Sequence, residues 1–156
     1  MKLMERMKQK RMGNKGFSLV ELIIVIAIMA ILVGIVGTQV IPYLNRAREQ
    51  RDVELLSAIS TAAVSAYSSH AEDYGNADFT MHLSGTGNTG DAVTLNNQIW
   101  EFMSYSDLAG ITGAMSSANA GDIDDIEVRF NFTNNTVTVE AMSGGNGVLQ
   151  AVTSQL

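Results

Sequence analysis

The sequence predicts an α+β fold: one long N-terminal α-helix, transmembrane over its first half, packs through its second half on a small antiparallel β-sheet head. Three observations predict it. Residues 17–41 form an almost wholly apolar run, and residues 22–37 contain no polar side chain. Leu55, Leu56, Ile59, Ala62, Ala63, Ala66 and Tyr67 then recur at the spacing of one helix face. Towards the C-terminus, Ile126, Val128, Phe130 and Phe132, followed by Val137, Val139 and Ala141, alternate with polar residues, which is the period of a half-buried strand.

Charge separates the chain into two parts before any element is drawn. The net charge of −6 is the sum of a basic start, where residues 1–16 hold six Lys/Arg against one acid, and a remainder with four arginines against 15 acids, or −11. No lysine follows Lys15. A nucleic-acid surface needs clustered cations to displace counterions from phosphates, so no nucleic-acid partner is expected. The absence of cysteine excludes disulfide scaffolds, thiol catalysis, thiolate metal sites and lipoprotein acylation. No cofactor is implied.

The first element is the apolar helix. About 20 residues span a bilayer core, so residues 17–42 are long enough, and the basic block before them keeps residues 1–16 in the cytoplasm while residues 43–156 are exported. An ordinary secretory signal places a small-residue cleavage site after such a run. Here the stretch Gly34-Ile35-Val36-Gly37 puts the large Ile35 where a small residue is needed. The unusual feature lies at the opposite end, where Lys15-Gly16 meets Phe17-Ser18-Leu19-Val20-Glu21-Leu22. An acid inside an apolar segment is costly unless it is paired, so Glu21 is a functional candidate on physical grounds alone.

This run, GFSLVEL after a basic leader and before IIVIAIMAILVGIVG, resembles the type IV prepilin family, the type IV pilins and related pseudopilins, over roughly residues 1–60. The resemblance implies a pilin-like fold and a cleaved leader at 1–16. A membrane-embedded prepilin peptidase would cut after Gly16, and Phe17 would become an N-methylated N-terminus. Glu21 would neutralise the N-terminal amine of a neighbouring subunit during assembly. It also implies a bent or locally meltable stretch marked by Gly34, Gly37 and Pro42, with Pro42 about one turn later than in typical major pilins. The partners it implies are copies of the chain itself, the peptidase, the assembly platform with its ATPase, and the membrane before assembly.

Beyond Pro42 the helix becomes amphipathic. Residues 43–74 form its second half, with Arg48–Asp52 and Arg51–Glu54 spaced as pairs on an exposed face and a stop at Gly75-Asn76. The head occupies residues 75–156. Residues 75–91 read as a surface loop with a short strand at 79–83, residues 95–108 as a short helix, and residues 110–125 as loop. A hairpin turns at Thr133-Asn134-Asn135, and a third strand follows at 148–153 after the Gly144-Gly145-Asn146-Gly147 turn.

Other constellations are weaker. Gly85-Thr86-Gly87-Asn88-Thr89-Gly90 matches the dinucleotide fingerprint, but no helix is expected after it and it belongs to no βαβ unit. Asp122, Asp124 and Asp125 are calcium candidates, too few for an EF-hand. His70 is expected against the packed face of the long helix, and His82 belongs to no recognisable triad. The expected function is a non-enzymatic structural subunit of a cell-surface filament serving adhesion, motility or biofilm formation. The alternatives are a pseudopilin of type II secretion or DNA uptake, and a single-pass anchored extracellular domain. Arg46, Arg48, Arg51 and Arg129 are the cations available for contacts between heads.

Overall fold

A computed structural model of the chain describes residues 16–156, so the basic leader apart from Gly16 lies outside the described residues. The fold is α+β and pilin-like, a long apolar N-terminal helix with a five-stranded antiparallel sheet. By its internal contacts the chain divides between Ile41 and Pro42 into two units.

Helix α1 runs Leu19–Ser69 and crosses that division. In the first unit every described residue is exposed. The all-round apolar surface of this segment, long enough to cross a membrane, finds nothing in its own unit to pack on. In the second unit Leu56, Ile59, Ala62, Ala63 and Ala66 of α1 are buried, as the periodicity predicts. The helix ends five residues before the expected Tyr74. From His70 the bonding tightens to three-residue turns, His70 N to Tyr67 O and Asp73 N to His70 O. Glu72 and Asp73 oppose the negative end of the helix dipole, and no basic residue occupies the last turn.

The sheet is built on the predicted hairpin. Strand β1 is Phe79–His82, β2 Asp125–Asn131, β3 Thr136–Ser143, β4 Asn146–Gly147 and β5 Val152–Gln155. The order is β1-β2-β3, with β4 and β5 both on the far side of β3, all antiparallel. Val128 lies opposite Val139, and Phe130 opposite Val137, so one face is apolar throughout. The third strand is split rather than continuous at 148–153. Gly144 and Gly145, with φ of 56° and 82°, make the two-residue turn that pairs Ser143 with Asn146, after which the four residues 148–151 pass opposite the two residues 140–141 before Val152 meets Val139. A Cβ at Gly147 would meet the Glu140 carboxylate, the end of a flexible side chain that would have to shift aside.

Two helices complete the head. α2 is Asp91–Phe102, earlier than the expected 95–108, and it buries Ala92, Leu95 and Ile99. α3, Leu108–Ala114, replaces part of the expected loop. Its start is set by Asp107, whose carboxylate accepts from Gly110 N at 2.8 Å. Leu56, Ile59, Leu95, Ile99, Ile111, Val128, Phe130 and Val139 are fully buried and form one core. At one end of it Tyr67 rests on Phe130 and Phe132, with ring centroids 5.9 and 5.3 Å away, and Phe79 stacks on Phe130 at 4.8 Å.

Candidate functional site

The N-terminal segment is built from Gly16 to Glu21. Gly16 and Phe17 precede the helix, and Phe17 is 90% exposed. Ser18 caps α1: its carbonyl accepts from Leu22 N at 3.1 Å and its Oγ from Val20 N at 3.3 Å. Glu21 reaches back, and its Oε2 accepts from Ser18 N at 3.0 Å. The four residues Ser18-Leu19-Val20-Glu21 are therefore a capping box, in which serine and glutamate satisfy otherwise unpaired donors of the first turn. The S-x-x-E spacing before an apolar run is a sequence signal for this, and the assembly reading of Glu21 overlooked it.

Farther along, α1 stays helical through Gly34, Gly37 and Pro42. Pro42 has no N–H to offer the Thr38 carbonyl, and Thr38 Oγ1 donates to Gly34 O and Ile35 O, at 3.3 and 3.1 Å. Two features that weaken a helix thus fall within one stretch.

The family model of the prokaryotic N-terminal methylation motif matches residues 11–37. The chain carries a type IV prepilin signal. The signal covers the capping box and both Gly34 and Gly37 but stops before Pro42 and contains none of the head. Comparison with curated proteins and with solved structures gives no match.

Outside the prepilin signal, the structure corrects several expectations. Asp52 is not on an exposed face with Arg48. It is fully buried, and its two oxygens accept from Ser116 N and Ser117 N at 2.9 and 2.8 Å, tying α1 to the loop after α3. Sequence reasoning missed it because the i,i+4 spacing to Arg48 has the same form as a surface ion pair. Arg51 and Glu54 form no ion pair either. Arg129 is not free for contacts, since it lies between Glu127 and Glu140 on the sheet.

The three aspartates do not converge. Asp125 accepts from Ser84 N and Ile126 N and meets His82 Nδ1 at 2.6 Å, while Asp124 accepts from Gly144 N at 2.7 Å. Among the described residues no group of three His, Cys, Asp or Glu is placed to hold a metal. His70 is exposed beyond the end of α1 rather than packed. The glycine-rich loop does lead directly into a helix, α2, against expectation. It is no dinucleotide site even so: β1 before it pairs antiparallel with β2, the first turn of α2 carries Asp91, and Asn88 closes the loop on His82 N and O at 2.8 Å each. A cleft of about 640 Å³ between α2 and α3 is lined by Trp100, Asn96 and Asp107 among others, and its one carboxylate is the cap of α3.

Proposed function

We propose that this chain is a structural subunit of a type IV pilus, made as a precursor that prepilin peptidase cleaves between Gly16 and Phe17 and that is then methylated on Phe17. The observation that carries the reading is the pairing of a prepilin signal at residues 11–37 with a helix half whose apolar surface is exposed all round. Cleavage before that half leaves it attached to the exported domain. It is then an anchor in the bilayer and, on leaving it, a segment that copies of itself can bury in a filament core. The chain accordingly works as leader 1–16, filament-core helix 17–42, amphipathic half 43–74 and head 75–156, with Gly34, Gly37 and Pro42 the place where the helix bends or loosens on assembly.

Glu21 has a role at each stage. In the single subunit one oxygen caps the helix through Ser18 N. Its other oxygen is left to meet the new Phe17 amine of a neighbour, and opposite charges in apolar surroundings offset each other's desolvation when the geometry is good. The precursor crosses the cytoplasmic membrane with its basic end inside, and the assembly platform and ATPase extrude the mature subunit to the cell surface.

N-terminal mass spectrometry of protein sheared from cells tests this. A methylated Phe17 in long filaments is the expected result. Methylated Phe17 found only in the membrane, without filaments, would favour the pseudopilin reading, and an N-terminus at Met1 or after Gly37 would overturn both. Glu21→Ala is expected to leave the head folded while filament yield collapses, as read by electron microscopy of sheared fractions.

A further inference from the structure

In the second unit exposed arginines and exposed acids are left without ion-pair partners among the described residues at two separate places. Arg129 is neutralised on the sheet. The three other arginines of the described chain, Arg46, Arg48 and Arg51, lie close together on α1, are exposed, and make no ion pair among the described residues, even with Glu49 or Glu54 beside them in sequence. Asp52, the acid nearest in spacing, is turned inward to Ser116 and Ser117. Arg48 and Arg51 are three residues apart and share a helix face.

Past the other end of α1 the balance reverses. Glu72 and Asp73 are exposed beyond the negative end of the helix. Asp91 accepts from Gly75 N at 3.4 Å and, with Asp78, lines a cleft of about 230 Å³. Asp73 and Asp91 are near enough to Tyr74 for their charge to act on its phenol. No cation pairs with any of these four acids among the described residues. Even from Arg51, the nearer of the two, Ser69 is 18 residues farther along one helix, about 27 Å at the α-helical rise, so a subunit's Arg48 and Arg51 cannot reach these four acids of its own. Those of another copy can.

We propose that the Arg48 and Arg51 face of α1 docks on the Glu72, Asp73 and Asp91 end of a second copy of this chain, repeated from subunit to subunit. This rests on the polymerisation reading above. The two surfaces differ, so the contact is head-to-tail and need not close, which is the geometry of a filament. With −11 in side-chain charge after residue 16, copies brought together in other registers face like charges, so the contact selects one offset. Both surfaces are exposed, and salt screens the contact over a Debye length of about 10 Å at 0.1 M.

The absence of cysteine gives a clean test. Full-length Arg51→Cys/Asp73→Cys protein is assembled on cells and treated with a bis-maleimide whose span suits an arginine–aspartate pair. The expected product is a ladder of multimers on a denaturing gel, with neither single variant giving one. Dimers from a single variant would indicate a two-fold contact and overturn the proposal, as would filaments of the double variant that yield no ladder. Charge exchange is the second arm: Arg48→Glu/Arg51→Glu is expected to lower filament yield by about tenfold or more, and adding Asp73→Arg/Asp91→Arg to restore it. Undiminished filaments in the first variant, or no restoration in the second, would overturn the docking. A wild-type chain that forms no filaments would instead overturn the polymerisation reading, and the docking with it.

Discussion

The two halves of α1 are continuous in sequence and opposite in circumstance. Before Pro42 the helix is apolar on every side and has no buried residue, whereas after it five apolar residues of one face are buried in the head core. Hydrophobic burial stabilises a helix only where a partner removes its surface from water. The second half has that partner in its own chain. Among the described residues the first half has none, and by its composition only lipid or another apolar surface can supply one.

If that contrast is right, equal truncations should have unequal effects. Ile59→Ala, at a fully buried position, is expected to destabilise the head by about 3 kcal/mol, while Ile28→Ala in the first half should change it by less than about 0.5 kcal/mol. Urea unfolding in detergent, followed by the fluorescence of the sole tryptophan, Trp100 in the head, measures both. Equal shifts would remove the contrast. Next in size is Asp52→Ala, which leaves two backbone donors, Ser116 N and Ser117 N, without their acceptor and should cost about 2 kcal/mol in the same experiment. A surface role for Asp52 would give a shift near zero.

Smaller effects sharpen the boundary at the end of the helix. Tyr67→Leu removes the ring that rests on Phe130 and Phe132, and the expected loss is about 1 kcal/mol by thermal unfolding. Smallest is a pH effect at Tyr74. Burial, and after it the Asp73 and Asp91 carboxylates, raise its phenol above the ordinary 10.0, against the hydrogen bond to Gln98. Above pH 10 the unfolded chain loses this proton first, so the head is expected to lose stability as pH rises from 10 through the folded value. Spectrophotometric titration at the phenolate band, with Tyr74→Phe as control, checks it; a decline of the same size in the control would exclude Tyr74 as its source.

Much of this architecture was legible from pattern. The apolar run, the face at Leu56, Ile59, Ala63 and Ala66, and the β2–β3 hairpin each repeat at the period of their element, because local geometry sets which side chains share a surface. The misreadings have a common origin. α3 holds two glycines in seven residues and only one buried side chain, Ile111, so its pattern is faint and its start depends on the Asp107 cap. The final strand is divided because Gly144 and Gly145 set one register and the return to β3 another.

In the candidate site the prepilin signal stands in a contiguous run and was legible from order alone, and the capping box was present in the same letters. Sequence by itself determined the fold class, the apolar helix half, its signal and the asymmetry of charge, since each is a property of composition or short-range spacing. Tertiary structure alone decided that Asp52 turns inward, that Arg129 lies between two glutamates and that Arg48 and Arg51 find no partner among the described residues. Those outcomes depend on Ser116 and Glu140, brought within hydrogen-bonding distance of Asp52 and Arg129 across 64 and 11 positions of chain, and no local period encodes such meetings.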